Sequence, residues 1–216
     1  MEPPAAVELM RERAARVHTI SSRGEIVLSR PGGRTIHLDA AIVARPPDRL
    51  RIRAWKLSRA VFDLTLRPDG LWLLAPERRD DAQRPILDRL TADRVARAFS
   101  LLMGELPDER WRIAPGETPD VLHLRRGREG AAWHATCEVD RPTLTLRRCA
   151  VVDPEGDARL TVRLDRYRVF DGIIWPTRIR CEAPTGAITV LMDDLVFNED
   201  LAPEAFDPPK RAGKLP

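Results

Sequence analysis

Apolar and polar residues alternate with a period of two along most of this chain, which predicts β-strands rather than helices. Over residues 19–76 the alternation recurs in about five segments that are separated by turns rich in Pro and Gly. In the clearest hairpin Pro68 and Asp69 supply the turn, and Gly70 takes the left-handed position that follows it. In that register one face of the hairpin carries Phe62, Leu64, Leu66, Trp72 and Leu74.

Two segments show the 3.6-residue period of an amphipathic helix instead. The first is residues 1–18, where Pro3 and Pro4 precede an apolar stripe. The second is residues 77–106, which interrupts the β pattern and includes Leu90, Phe99 and Leu102. We expect an N-terminal helix and a central helical insertion.

The β pattern resumes over residues 110–198 with about six further strands, and a Pro-rich tail follows at 199–216. Asp171-Gly172 is a two-residue hairpin turn. Pairing Phe170 with Ile173 sets the register of this hairpin and places Asp165 opposite Arg178. Strands and helices do not alternate, so we expect one mainly β domain over residues 1–216 with a curled antiparallel sheet and covering helices.

Charge and hydropathy limit the partners and the location of the protein. Lys and Arg number 36 against 33 Asp and Glu, so a dedicated nucleic-acid-binding role is not indicated. No apolar run is long enough to cross a bilayer. The amino terminus lacks a basic region followed by an apolar stretch, so the protein is either cytoplasmic or secreted with a signal segment that precedes this sequence.

The chemistry-bearing residues predict no catalytic centre. Cys137, Cys149 and Cys181 fit neither a disulfide framework nor a zinc site. One bridge with a free thiol is an option, but three small buried side chains is the favoured interpretation. Neither a metal nor a cofactor is expected, because the four histidines lack metal-ligand spacing. His134 lies three residues before Cys137 on one strand, and opposite faces argue against a catalytic pair.

Arginine alternates with Leu or Ile in several predicted strands. An anion-binding or RNA-binding face would produce this pattern, and so would the solvent side of an antiparallel sheet. Few aromatic residues accompany the arginines to stack on bases, which favours the solvent side.

The apolar face of the sheet is therefore the most informative surface. Helices that cover it loosely would leave a pocket suited to acyl chains, whereas a densely packed core is the alternative. The side chains expected to line such a pocket are Ile26, Leu28, Ile36, Leu38, Ile42, Leu50, Ile52, Phe62, Leu64, Leu66, Trp72, Leu74, Leu90, Phe99, Leu102, Leu144, Leu146, Val162, Leu164 and Ile179.

The end of the chain carries a resemblance to a known family. The segment "RYRVFDGIIWPTRIRCE", then "ITVLMDDLVFN" and "EAFDPP", resembles the end of the LolA/LolB superfamily of bacterial lipoprotein carriers. The layout of helix, "SSRGEIVLSR" strand, "PDRLRIRA" strand, helical insertion and β return is similar over roughly residues 5–210. Motif-level similarity is confined to about the last forty residues.

This resemblance implies an unclosed β-barrel whose helices form a lid over a cavity for lipoprotein acyl chains. Phe197 would end the last strand, Asn198 would cap exposed backbone, and Phe206 would hold the tail onto the barrel. The prolines that follow would stop further pairing at an open edge. The soluble carriers latch their lid with a buried arginine, for which Arg45 and Arg53 are the candidates.

The resemblance also implies a function. It implies a monomeric, non-catalytic protein of the bacterial periplasm or outer membrane, with its signal peptide and lipidated Cys missing from this chain. Its partners would be lipid or lipoprotein acyl chains, a second carrier or a membrane surface, and no nucleic acid. A membrane-anchored acceptor is favoured, and Trp55 or Leu57 in the 54–60 loop would be its membrane contact.

Two other functions remain open at this point. The fold could have a filled interior and serve envelope assembly or sensing through its sheet edge or arginine face. It could also be an enzyme that binds an apolar substrate in the cavity.

Overall fold

The computed structural model describes residues 3–33, 35–75, 111–115, 118–126, 134–152 and 157–215. These residues form one α-helix, α1 (Pro3–Ala15), a 3₁₀ turn at Pro203–Phe206 and thirteen β-strands. The strands are β1 (Ile20–Ser29), β2 (Ile36–Arg45), β3 (Arg49–Lys56), β4 (Arg59–Arg67), β5 (Gly70–Leu74), β6 (Trp111–Pro115), β7 (Val121–Arg126), β8 (His134–Asp140), β9 (Thr145–Val152), β10 (Ala158–Phe170), β11 (Ile173–Ala183), β12 (Gly186–Phe197) and β13 (Gly213–Leu215).

All thirteen strands belong to one antiparallel sheet, in the order β13-β5-β4-β3-β2-β1-β12-β11-β10-β9-β8-β7-β6. Two meanders, β1–β5 and β6–β12, are joined side by side because the first strand pairs with the last strand of the second meander. Within the described residues β6 and β13 are the edges and do not pair with each other, so the barrel is not closed.

The sheet is curled, because its two ends contribute to the same core. One buried cluster contains Leu71 and Leu73 of β5 together with Leu122 and Leu124 of β7. The helix α1 contributes Ala6, Val7 and Met10 to this cluster, and they lie on the predicted helical stripe or beside it. We call the sheet face that packs against α1 the inner face and the opposite one the outer face.

Asn198 connects the end of the sheet to the end of α1. Its side chain accepts a hydrogen bond from the His18 backbone N–H at 2.8 Å and donates one to the Arg16 carbonyl at 2.9 Å. Its φ is +59°, in the left-handed region that Asn tolerates better than most residues. The capping role that the resemblance implied is therefore present, and Phe197 ends β12 as expected.

The register of the β10–β11 hairpin is the one that the sequence predicted. Phe170 pairs with Ile173 across Asp171-Gly172, and Asp165 lies opposite Arg178. Their side chains form two hydrogen bonds, with Nε to Oδ1 at 2.5 Å and Nη2 to Oδ2 at 2.8 Å.

The register predicted for the β4–β5 hairpin is wrong by one residue. Gly70 is not a loop residue but pairs with Arg67 as the first residue of β5. A slip of one residue moves every side chain of a strand to the other face. Trp72 and Leu74 therefore lie on the outer face, opposite Thr65 and Asp63, and the inner face receives Leu71 and Leu73 instead.

The expectation that prolines end all pairing in the tail is also wrong. After Pro208-Pro209 the chain forms β13, which pairs with the edge strand β5. Before that point the tail crosses the outer face, where the 3₁₀ turn contacts β3 and β4 and Phe206 is only 1% exposed. Phe206 thus holds the tail onto the sheet, from the side opposite to α1.

Arginines of the outer face bind the backbone of this tail. Arg45 donates to the Leu201 carbonyl, and its guanidinium carbon lies 5.6 Å from the centre of the Phe206 ring. Arg51 donates to the Ala205 carbonyl at 3.2 Å and forms two hydrogen bonds to the buried Asp63 carboxylate, at 3.0 and 2.8 Å.

The predicted helical insertion at 77–106 lies outside the described residues. No helix within the described ranges is long and apolar enough to cross a membrane.

We expect Arg51→Met to destabilise the fold much more than Arg53→Met does. Both arginines contact Asp63, but the Arg51 side chain is 17% exposed and that of Arg53 is 63% exposed. Loss of Arg51 leaves the Asp63 charge buried without its main partner, which costs about 3–5 kcal/mol, whereas an exposed pair contributes about 1 kcal/mol or less. Urea unfolding of both variants measures the difference, and equal losses would contradict this role of Arg51.

Candidate functional site: the inner apolar face

Strand alternation places an almost continuous apolar surface on the inner face. Along β2 and β3 the even-numbered side chains point inward, and the ladder sets Ile42 beside Ile52. Ile52 in turn lies opposite Leu64 on β4. On the other side β1 pairs Ile26 with Val190 of β12.

The inner face carries two buried clusters. The larger one includes α1 and strands of both meanders, and the smaller one contains Ile26, Leu28, Leu38, Ala40 and Ala54. Ile52, Phe62 and Val190 pack against both clusters, so the apolar surface is continuous from one to the other.

A band of side chains that pack against one or both of these clusters is only half-buried, although it lies on the concave side of the sheet. Apolar groups that keep accessible surface on a concave face are the feature expected of a ligand-binding surface. The band comprises Ile36, Ile42, Ile52, Phe62, Ile188 and Val190.

The floor of this band is irregular where β1 meets β12. Arg23 pairs with Asp194 but the next residue, Gly24, pairs with Met192, so Asp193 is an extra residue on β12. Such a bulge increases the local twist and bend of a sheet. A Cβ atom at Gly24 would collide with the Leu191 carbonyl oxygen, so the close approach of the two backbones requires glycine here.

Most of the predicted lining residues lie on the inner face, and the others fall into two groups. Trp72 and Leu74 lie on the outer face, while Leu90, Phe99 and Leu102 lie outside the described residues. Whether the inner-face set contacts a ligand stays a prediction. The predicted residues that belong to the two inner clusters are Ile26, Leu28, Ile36, Leu38, Ile42, Leu50, Ile52, Phe62, Leu64, Leu66, Leu144, Leu146, Val162, Leu164 and Ile179.

The sequence prediction missed inner-face residues of β11 and β12, notably Trp175, Ile188 and Val190. A signal was present for Ile188 and Val190, because they alternate with Ala187 and Thr189, although Leu191 breaks the pattern. The bulge at Asp193 then shifts the phase of the strand, so Leu195 and Phe197 continue the inner face.

Leu57 is displayed at the tip of the β3–β4 hairpin and is 87% exposed. Lys56 pairs with Arg59, so Leu57 and Ser58 form a two-residue turn with φ of +48° and +63°. Positive φ at both positions is the type I′ geometry, which is unfavourable for a branched residue such as Leu. Trp55, the other predicted contact residue, is half-buried on the outer face beside Asp39.

Arg45 and Arg53, the candidates for a buried lid latch, both lie on the outer face. Arg45 binds the tail, and Arg53 contacts Asp63 at 3.2 Å. Neither side chain therefore lies on the face that packs against α1.

The three cysteines lie in one row across the inner side of β8 to β11. Cys137 is paired with Cys149, Cys149 with Val162, and Val162 with Cys181. Cys137 and Cys149 form a disulfide, which corrects the favoured interpretation of three separate buried side chains. Cys181 is free, and burial raises the pKa of its thiol to about 11. Little thiolate is therefore present at neutral pH, and Cys137 is not available as a nucleophile while the bridge exists.

Three arginines on the outer face of β10 and β11 are paired with carboxylates, namely Arg163, Arg178 and Arg180. Arg163 and Arg180 face each other, and both bind Glu182, at 3.1 and 2.8 Å. Their hydrogen bonds and charges, first those of Arg180, hold the pKa of Glu182 below its usual range. This arrangement is typical of the solvent side of a sheet.

Among the described residues no group of three His, Cys, Asp or Glu side chains is arranged to hold a metal ion.

Comparisons with known proteins identify the fold. Neither a protein-family model nor a curated protein matches the sequence. Among solved structures, a DUF1329 family protein from Desulfovibrio piger superposes with a TM-score of 0.68 at 14% identity, over 96% of this chain and 98% of that one.

A LolA superfamily protein from Nitrosomonas europaea superposes with a TM-score of 0.62 at 13% identity, over 94% of this chain and 97% of that one. A domain described as an outer membrane lipoprotein-sorting protein, from Vibrio parahaemolyticus, gives 0.61 at 13% identity, over 95% and 97% of the two chains. The resemblance inferred from the sequence is therefore confirmed as a match of fold over nearly the whole chain.

We expect removal of the Cys137–Cys149 bridge to destabilise the protein by about 3 kcal/mol, the value for a loop of this length. The two residues are separated by 12 positions along the chain. Urea unfolding with and without reductant measures the loss, and the double variant Cys137→Ala/Cys149→Ala is the control that reductant should leave unchanged. Thiol counting after denaturation should find one free thiol without reductant, and three would contradict the bridge.

Proposed function

We propose that this protein binds acyl chains of lipids or lipoproteins on its inner apolar face and transfers them without catalysing a reaction. The observation that carries the proposal is the half-buried band on the concave face, because six apolar side chains keep accessible surface there. Each methylene group moved from water onto such a surface contributes about 0.8 kcal/mol. A surface of this kind selects for chain length and shape rather than for polar groups.

The covering contacts suit a ligand that enters and leaves. In the described residues α1 packs against the sheet through Ala6, Val7 and Met10, and its Arg13 side chain donates a hydrogen bond to the Thr143 carbonyl. Apolar contacts have little directionality, so an acyl chain replaces them at low cost. Transfer to a second protein then follows the difference in affinity between the two binding surfaces.

The cell envelope is the location that this function requires. A disulfide persists in oxidising compartments such as the bacterial periplasm, and the Cys137–Cys149 bridge supports this location. The similarity of fold to lipoprotein-sorting and LolA superfamily structures points to the same compartment.

An acceptor that contacts the outer membrane fits better than a freely diffusing carrier. Leu57 is exposed between Lys56 and Arg59, which combines an apolar tip with two cations. Such a tip inserts an apolar side chain among acyl chains while the cations bind anionic head groups. The outer-face positions of Arg45 and Arg53 agree with a protein that lacks the arginine latch of the soluble carriers.

We expect Ile42→Trp to lower the affinity for a fluorescent apolar probe, N-phenyl-1-naphthylamine, by about tenfold, since space for roughly two methylene groups is lost. Stability should change little if that space is open. In a filled core the same change would overpack the interior and cost about 1–3 kcal/mol. Val43→Trp is the matched control, because the adjacent side chain points to the outer face.

The carrier proposal is tested on the wild-type protein by looking for bound lipid. Native mass spectrometry of protein purified from cells should detect co-purified lipid that the probe displaces. A clean apo mass together with no probe binding would contradict the carrier and favour an interaction module with a filled core.

For the membrane contact we expect Leu57→Glu to weaken binding to phosphatidylglycerol vesicles by at least about tenfold, because a leucine side chain contributes roughly 2 kcal/mol when buried. Vesicle co-sedimentation measures the change. Val169→Glu is the control, because Val169 is 68% exposed on a different hairpin. Equal effects of the two substitutions would show that charge alone, and not the β3–β4 tip, governs binding.

A further inference from the structure

Two neighbouring strands separate from each other at one end of the inner face. β11 and β12 pair only between residues 178–183 and 186–191, although β11 begins at Ile173 and β12 continues to Phe197. Beyond that point β12 stays paired with β1, and β11 stays paired with β10. Pro176 lies in the part of β11 that does not pair with β12, and it has no N–H to donate to a neighbouring strand. The ladder is therefore interrupted here.

Aromatic rings lie at this separation of the strands. The Phe197 ring centre is 5.5 Å from that of Trp175, in an edge-on arrangement, and 5.8 Å from that of Phe170. All three residues belong to the larger inner cluster, which also contains α1. The separated strand ends are thus lined by an aromatic group that belongs to the same inner cluster as Ile42, Ile52 and Val190 of the proposed acyl-binding surface.

The indole of Trp175 carries a donor that the described chain does not satisfy. Trp175 is 8% exposed, and its Nε1 has no hydrogen-bond partner among the described residues. The great majority of buried polar groups in proteins have a partner, and an unpaired one lowers stability. Indole nitrogen only donates, so the missing group is an acceptor.

We propose that the Nε1–H of Trp175 binds the ester carbonyl of an acyl chain that lies on the inner face. This inference rests on the proposed function and adds the chemical group that the surface recognises. An ester carbonyl accepts a hydrogen bond without carrying a charge, which suits a site formed by Phe170, Phe197 and apolar strand residues. The apolar chain extends from it along the inner face.

A carboxylate is the competing acceptor, because Arg168 pairs with Trp175 across the β10–β11 ladder and is exposed. The ligands are therefore 1-monomyristoylglycerol, its ether analogue 1-O-tetradecylglycerol, and myristate. The first two differ only in whether a carbonyl or a methylene follows the glycerol oxygen.

The chain has five tryptophans, so ¹⁵N-indole labelling gives five resolvable Nε1–H signals. Trp→Phe variants at the other four positions assign the Trp175 signal even if Trp175→Phe does not fold. We expect the ester to move the Trp175 Nε1–H signal downfield, because a hydrogen bond forms. The ether should cause no such downfield shift. The ester should bind about fivefold more tightly than the ether, the ratio for one net hydrogen bond.

Trp175→Phe should abolish this ester preference, and Trp72→Phe, on the outer face, should retain it. An unmoved signal with the ester bound, or a signal moved by myristate alone, would overturn the assignment of Trp175 while leaving the acyl-binding function intact. Failure of all three ligands to bind would overturn both proposals.

Discussion

The inner face of the sheet must be kept from water, and the rest of the structure follows from this constraint. A sheet of thirteen strands with one apolar face cannot lie flat in solution. The pairing of β1 with β12 places the two meanders side by side, and their shared curl brings Leu73 and Leu124 into one cluster. α1 completes this cluster, because a curled sheet that does not close leaves its concave side open at the edges.

The two faces of the sheet are stabilised by different kinds of interaction. On the outer face Arg45 and Arg51 bind individual carbonyl groups of the tail, and Asp63 fixes the Arg51 guanidinium. These hydrogen bonds form only when the tail lies in one position on the outer face. On the inner face α1 contributes Ala6, Val7 and Met10 to the core, and apolar packing of this kind allows many geometries of similar energy. The outer face therefore provides a rigid support, and the inner face can exchange one apolar partner for another.

Strand registers could be predicted from the sequence where a local turn determines the pairing, and could not where the turn allows two registers. The β10–β11 register follows from the Asp171-Gly172 turn, because a two-residue turn leaves only one pairing. The β4–β5 register could not be derived in the same way. Gly70 fits either the third position of a loop or the first position of a strand, and sequence alone does not choose between them.

Other features depend on contacts between distant parts of the chain. Cys137 lies opposite Cys149 only because a bulge after Glu138 shifts the β8–β9 register, which the spacing of cysteines does not reveal. The tail strand β13 requires the exposed edge of β5, which forms only when the first meander is complete. For the candidate site, strand alternation predicted much of the inner set, but the bulge at Asp193 concealed that Leu195 and Phe197 share a face with Val190.

Trp175 lies in the least regular part of the sheet, where β11 and β12 no longer pair. Where β11 and β12 pair, their backbone groups satisfy one another and leave only side-chain packing to vary. Where they separate, backbone and side-chain polar groups need other partners, and the structure satisfies them incompletely at the Trp175 indole. In a purely structural core an apolar side chain at this position would avoid burying a donor without a partner. An unpaired indole N–H beside Phe170 and Phe197 is consistent with a polar partner that arrives from outside the chain.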